Sequence, residues 1–398
     1  YAGSTVCAPS RCCLLTGRHT GRCIIRGNIW TGPENDFPLP PGTVTVAGLL
    51  KKAGYKTACI GKWGQGGPGS TGLPDKHGFD YHFGYLGQLH AHHYYPQYLR
   101  RNGEKVILEG NQNDQKGQYS HDLVTEEATN FIRKNKQNPF FLYLTFSIPH
   151  VELAVPEDSL AQYKGKFPET PYVGDYYCSQ ETPRAALAAM ISRMDRDVGR
   201  ILSLLQELRI DKNTLVVFCS DNGPEKSGGA DPYFFKSSGP LRGVKRDLYE
   251  GGIRVPLVAR WPGKIKPASV NDHISAFWDF LPTCTELAGV EAPTDIDGIS
   301  LLPALLGRND KQKKHEYLYW EFHEGNKARA VRFGDFKAVQ NNIAKNLDTP
   351  IELYDLATDQ AEKNNIADKR PDLIARVEKY FNTAHTESDD WPLPKNRK

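Results

Sequence analysis

The run Phe140-Phe141-Leu142-Tyr143-Leu144-Thr145-Phe146, entered from Asn138-Pro139, carries no charge and no turn residue. A strand with one wet face alternates apolar and polar side chains. An unbroken apolar run instead predicts a strand covered on both faces, the habit of parallel sheets. Working outward, Lys56-Thr57-Ala58-Cys59-Ile60-Gly61-Lys62 predicts a second such strand, after a helix over Val44 to Ala53. Leu215 to Ser220 and Val255 to Trp261 predict two more. Ala188, Ile191, Met194, Val198, Ile201, Leu205 and Leu208 recur at helical spacing and predict a long helix over Ala185 to Leu208. Buried strands separated by helices predict an α/β fold with a doubly wound, mostly parallel sheet.

Gly298 to Leu306 reads as the last helix of this first part, residues 1–307, before the polar stretch Arg308 to Lys314. Beyond it, Tyr317 to Trp320, Ala328 to Arg332, Phe336 to Val339 and Ile351 to Leu356 read as short strands, and Pro371 to Phe381 as a helix. Residues 315–398 are therefore expected to form a small C-terminal antiparallel-sheet subdomain with a terminal helix.

The 398 residues carry a net charge of +3 spread along the chain, too weak a field to suggest nucleic acid as a partner. No apolar stretch approaches the roughly 18 residues of a membrane span. The eight cysteines, at 7, 12, 13, 23, 59, 178, 219 and 284, show no regular disulfide framework. Cys59 and Cys219 lie in strand-like runs and are expected to be reduced core residues. The chain begins at Tyr1 without a methionine, six residues before its most reactive stretch. An N-terminal segment is expected to precede it, and a signal peptide cannot be read.

Ligands of open α/β sheets gather at the carboxyl ends of strands. Lys62, His150 and Asp221-Asn222 each follow a predicted strand. The oxygens of Asp221 and Asn222 suit a hard cation, Ca²⁺ or Mg²⁺, although Asp-Asn-Gly is also an ordinary turn. In Cys7-Ala8-Pro9-Ser10-Arg11 a small nucleophile precedes an arginine by four residues. A guanidinium offers a planar fork of donors to a tetrahedral oxyanion. The bland alternative is a structural cysteine beside a surface arginine. Cys12 and Arg18 also have the Cys-x5-Arg spacing of a phosphatase loop, but Cys13, Leu14 and Leu15 fit a backbone phosphate cradle poorly.

Cys7-x-Pro9-x-Arg11, running into Leu15-Thr16-Gly17-Arg18, closely resembles the signature of the type I, formylglycine-dependent sulfatases of the alkaline-phosphatase superfamily. Gly61-Lys62-Trp63, Asp221-Asn222, the run Lys245 to Pro256 with Tyr249-Glu250-Gly251-Gly252, and Glu352 to Leu356 extend the resemblance along the chain. It implies that Cys7 is oxidised by a maturation enzyme to formylglycine, whose hydrate attacks the sulfur of a sulfate ester. The sulfated residue then expels sulfate and regenerates the aldehyde.

The resemblance implies roles for Arg11, Lys62 and Lys245 around the sulfate, with Lys245 assisting the leaving group. It implies His150 as sulfate contact and candidate general acid, and Asp221 and Asn222 as metal ligands. Glu250 and Arg254 are expected to brace the glycine turn. Family members often carry a histidine after Trp63, where this chain has Gly64. The histidines of His90-Ala91-His92-His93 are candidates to compensate, His92 for catalysis and His90 for substrate binding.

Two further metal-binding aspartates of the family lie on an upstream strand that this sequence does not contain, so the chain alone is expected to fold poorly. The implied substrate is a sulfated carbohydrate or aryl sulfate, with Tyr94, Tyr95 and Trp320 as candidate sugar platforms. The implied location is periplasmic, secreted or lysosomal. The alternatives are a phosphoester or phosphonate hydrolase on the same scaffold, or a degenerate sulfated-glycan binder.

Overall fold

The computed structural model describes residues 1–174 and 176–394. The main sheet has the order β4-β3-β2-β1-β5, with β1 at Lys56–Lys62, β2 at Tyr81–Tyr85, β3 at Tyr98–Arg101, β4 at Glu104–Ile107 and β5 at Phe140–Thr145. β1 runs parallel to both β2 and β5, while β3 and β4 add antiparallel. The sheet is thus mixed, parallel at its centre and antiparallel at one side.

β6 (Val216–Cys219) and β7 (Leu257–Arg260) form a separate antiparallel ribbon. These two runs are less buried than their composition predicts: Phe218, Leu257 and Val258 are exposed. Among the described residues β5 pairs only with β1 and β6 only with β7, so each has an open edge. The helix expected over Gly298 to Leu306 shrinks to Leu302–Leu305, since Ile299 N–H is taken by Asp279 and Leu301 N–H by Thr283.

The parallel register decides where chemistry collects. Lys56↔Phe140 through Gly61↔Thr145 brings the carboxyl ends of β1 and β5 to one side, so Lys62 and the segment leading to His150 leave the sheet together. Thr145 Oγ1 donates to Lys62 O at 2.7 Å and locks the two ends. Gly61 makes this approach possible. Its φ is +113°, and a Cβ there would lie 2.1 Å from Thr145 O. Gly61→Ala is expected to destabilise the protein by about 3 kcal/mol through backbone strain and forced separation of the strands. Thermal unfolding reads this; an unchanged midpoint would refute the close-approach argument.

The C-terminal part forms a four-stranded antiparallel sheet, β8 (Leu318–Phe322), β9 (Ala328–Phe333), β10 (Phe336–Asn341) and β11 (Ile351–Asp355), with the helix Pro371–Ala384 on one face. Its other face shares the main core: Trp320 is fully buried against Trp278 and Tyr1, and its Nε1 donates to Ala2 O at 3.0 Å. Trp320 and Tyr94 are both wholly buried, and Tyr95 packs on Tyr119. Burial therefore removes Trp320 and Tyr94 as sugar platforms. All eight cysteines are free; Cys59 is buried and Cys219 half-buried. Among the described residues no helix is long and apolar enough to cross a membrane.

Candidate active site

Cys7 opens helix α1 (Cys7–Thr16), all ten residues of which are buried. Leu14 and Leu15 lie in the core, and Gly17 ends the helix in the left-handed conformation that glycine adopts at no steric cost. Cys12 therefore sits inside a helix rather than in a loop, facing the Cys23 thiol, and Arg18 points outward to Asp295. The phosphatase-loop alternative fails on both counts, since a helix cannot wrap its N–H groups around a phosphate.

Arg11 lies one turn after Cys7, on the same helix face. Its Nε donates to Asp221 Oδ2 at 2.9 Å and a terminal nitrogen donates to Lys62 O at 2.8 Å. One guanidinium thus ties together α1, the end of β1 and the end of β6. Burial works against its charge, but Asp221 above all, then Tyr143 and Cys7, hold its pKa above the usual value. Asp221 shows the reverse: burial would raise it, and Arg11, Lys62 and Lys245 together hold it below the usual carboxylate range.

Lys62 is buried and, among the described residues, makes no ion pair. Burial lowers its pKa, opposed chiefly by Cys7. A buried ammonium without a carboxylate is a strong anion site. Lys245 is also buried, and its Nζ donates to His150 Nε2 and to Glu225 Oε2, both at 2.7 Å. Burial opposes its charge, but Cys7 and Glu225 outweigh it and raise the pKa. His150 Nδ1 faces Val151 O at 2.7 Å, which assigns the ring proton to Nδ1 and leaves Nε2 as acceptor. Burial, then Lys245 and Lys62, push the His150 pKa far down, so the ring is neutral. In this arrangement the proton between the two residues sits on Lys245.

His92 stacks on His150 with ring centroids 4.5 Å apart, and its Nδ1 lies 3.4 Å from the Tyr177 hydroxyl. His90 is not brought to this cluster. It packs between Tyr85 and Tyr98, 3.8 Å from Glu34. Contacts and electrostatics thus link Cys7, Arg11, Lys62, His92, His150, Asp221 and Lys245 in one cluster, and His90 stands outside it. Glu225 was not legible beforehand: Glu225-Lys226-Ser227 reads as a solvated loop, and its place one residue past Asp221-Asn222-Gly223-Pro224 was the only clue.

Asn222 is buried, its Nδ2 donates to Gly223 O, and its Oδ1 has no partner among the described residues. An orphaned amide oxygen beside a carboxylate fits a hard cation. Two such donors fall short of the roughly six oxygens a hard cation takes. Among the described residues no group of three or more His, Cys, Asp and Glu side chains could hold a metal ion.

Comparison with known proteins bears on the family of the chain. The Sulfatase family model matches residues 1–290, and the model for the C-terminal region of N-sulphoglucosamine sulphohydrolase matches residues 244–386. The N-acetylgalactosamine-6-sulfatase of Canis lupus familiaris is 33% identical over 365 residues, covering 85% of this chain. The chain spans 63% of that relative's length. The human steryl-sulfatase is 29% identical over 399 residues, covering 80% of this chain and 64% of the relative. Among solved structures, Ps i-CgsB in complex with k-i-k-neocarrahexaose superposes with a TM-score of 0.77 at 26% identity, covering 97% of this chain and 84% of that one. Divalent metal and formylglycine are general to this group. The chain belongs to the sulfatase family.

Proposed function

We propose that the protein hydrolyses a sulfate monoester on a sulfated carbohydrate, using a nucleophile derived from Cys7. The observation that carries this reading is that Cys7, Arg11, Lys62 and Lys245 are all buried and that Cys7 favours the charged form of all three cations. Three cations around one small nucleophile suit a dianionic transition state, and charge preorganised in a water-poor site is often the largest catalytic contribution. Support for a carbohydrate comes from relatives named for N-acetylgalactosamine-6-sulfate and bound to a neocarrahexaose.

Formylglycine at position 7, when present, supplies a hydrated aldehyde as nucleophile. Lys62, without an ion pair among the described residues, would bind a sulfate oxygen. Arg11 would hold Asp221 and the end of β1 in place. Lys245, with its proton on Nζ, would meet the leaving alcohol, and His150 and Glu225 would orient it. This gives Lys245 rather than His150 the donor role, because His150 Nε2 accepts. His92 would support His150 by stacking. Ca²⁺, held in part by Asp221 and Asn222, would add positive charge beside the sulfate. Residues 1–307 would form the catalytic part, and 315–398 the smaller one.

Turnover of matched sulfate and phosphate monoesters by the complete protein tests the reading, together with the mass of the peptide containing Cys7. Preference for the sulfate ester and a thiol-to-aldehyde mass change are expected. Preference for phosphate would transfer the scaffold to phosphoester chemistry. Binding of sulfated sugar without turnover by modified protein would make it a glycan binder.

A further inference from the structure

Sulfate and phosphate monoesters share a tetrahedral shape, so a pocket that separates them must do so by charge. At neutral pH a sulfate monoester carries a single negative charge and a phosphate monoester about two. Cations alone favour the dianion. A site that prefers the monoanion needs a carboxylate set against its cations, which penalises the additional negative charge.

Glu225 occupies such a place. Its Oε2 lies 2.7 Å from Lys245 Nζ and 3.6 Å from His150 Nε2, and its side chain is 14% exposed. Its Oε1 accepts the N–H groups of Lys226 at 2.9 Å and Ser227 at 3.0 Å, which fixes the carboxylate with Oε2 toward the lysine. The backbone is held as well. Lys245 N–H donates to Pro224 O at 3.0 Å and Gly223 N–H to Gly252 O at 2.9 Å, so the segment before Glu225 is bonded to the turn that carries Lys245. Gly223 allows this approach, since a Cβ there would lie 2.1 Å from Gly251 O. Main chain and side chain alike keep the glutamate on the lysine.

The other cations are arranged differently. Arg11 is paired at 2.8 Å with Asp221, the candidate metal ligand. Lys62 makes no ion pair among the described residues. Asp36 feels both Lys62 and Arg11, but it makes no ion pair among the described residues, and burial raises its pKa to about 6. Glu225 is ionised: burial would raise it, but the adjoining Lys245 holds it below the usual carboxylate range. It is the carboxylate in direct contact with a lysine expected to face the substrate.

We propose that Glu225 determines specificity, as a fixed negative charge beside Lys245 that favours a singly charged sulfate monoester over a doubly charged phosphate monoester, a role that rests on the hydrolase reading above. It acts through Lys245 and touches no reacting atom. The product, inorganic sulfate, is a dianion, so the same charge hastens its departure. Removing the carboxylate raises the local charge by a single unit whatever other charges the site gathers, and the expected effect is that difference.

Glu225→Gln in the complete protein is expected to lower the ratio of kcat/KM for matched sulfate and phosphate monoesters about 10- to 100-fold, the effect of a unit charge acting across roughly 6–8 Å of protein. Glu225→Asp, which keeps the charge, should hold the ratio near the wild-type value even where both rates fall. A glutamate that only positioned Lys245 would lower both rates alike. Calorimetric titration gives a readout independent of turnover, with inorganic sulfate as the dianion and methanesulfonate as a tetrahedral monoanion. Glu225→Gln should tighten sulfate relative to methanesulfonate by about 10- to 100-fold. The wild type should bind sulfate at most about tenfold more tightly than methanesulfonate. A folded Glu225→Gln enzyme with the wild-type ratio of rates would overturn the role. So would a wild type that prefers the dianion about 100-fold, a result that needs no variant. A wild-type protein that cleaves no sulfate ester would overturn the hydrolase reading instead, and the anion titrations would still decide what Glu225 does.

Discussion

Cys7→Ser protein is expected to release at most one equivalent of alcohol and then stop. On the proposed reading a serine hydroxyl here can still act as nucleophile, because the buried cations Arg11, Lys62 and Lys245 would stabilise the developing oxyanion and the sulfate alike. It bears a single oxygen on its carbon. Once that oxygen carries the sulfuryl group, no second oxygen on the same carbon can expel sulfate, and water is the only remaining route. Steady-state turnover should fall roughly 10⁵-fold or more, in the range seen when a nucleophile is removed. The intact mass should rise by one sulfuryl group on the peptide containing position 7. Cys7→Ala should show neither the burst nor the mass gain. Sustained turnover near the wild-type rate by either variant would dismiss position 7 as the nucleophile.

Much of this site could be read from residue order because its parts sit where strands end. The apolar run at 56–62 finishes at the candidate Lys62, the run at 140–146 leads four residues on to the candidate His150, and parallel pairing brings the two strand ends together. Other features were hidden for physical reasons. Asp36 lies in a loop rich in glycine and proline, where an aspartate ordinarily faces water, yet it is buried beside Gly64 and accepts the Gln88 N–H. Glu225 looks solvated by its neighbours, yet it pairs with a buried lysine. The hairpin of β3 and β4 has the Asn102-Gly103 turn signal, but its polar strands do not announce a sheet. Trp320 and Tyr94 show the limit in the other direction. An aromatic residue is as suited to a core as to a sugar, and only packing distinguishes the two.

Lys337→Ala is expected to destabilise the protein by about 3–5 kcal/mol, the usual consequence of breaking a buried ionic cluster from one side. Lys337 lies on β10 with no exposure, and its Nζ is 3.0 Å from Glu250 Oε1 and 3.0 Å from Glu362 Oε1. The contacts are ion pairs rather than directed hydrogen bonds, so charge balance is what the lysine contributes. Tyr1 OH donates to Glu250 Oε2 at 2.7 Å, and the Glu250 N–H donates to Glu362 Oε2 at 2.6 Å.

The pH dependence gives the sign. In the wild type, burial and then Lys337 set the opposing pulls on both carboxyls, with Glu250 held low and Glu362 raised. Without the ammonium both carboxyls become buried groups with raised pKa values. A raised carboxyl stabilises the fold only while it keeps its proton, and that contribution is lost as pH rises through the folded-state pKa. The deficit of Lys337→Ala should therefore be smaller at pH 5 than at pH 8. Neutralising the partners in Lys337→Met/Glu250→Gln/Glu362→Gln should recover part of it.

The cluster also reaches the active site. Glu250 belongs to the same turn as Lys245, and Gly251 N–H and Lys245 N–H hold that turn to Arg242 O and Pro224 O. The C-terminal sheet thus positions the lysine proposed to meet the leaving group. Activity of Lys337→Ala should be lost well below its unfolding temperature, with kcat falling more than affinity for inorganic sulfate. A variant that unfolds and turns over like the wild type would show that β10 contributes nothing to either the fold or Lys245.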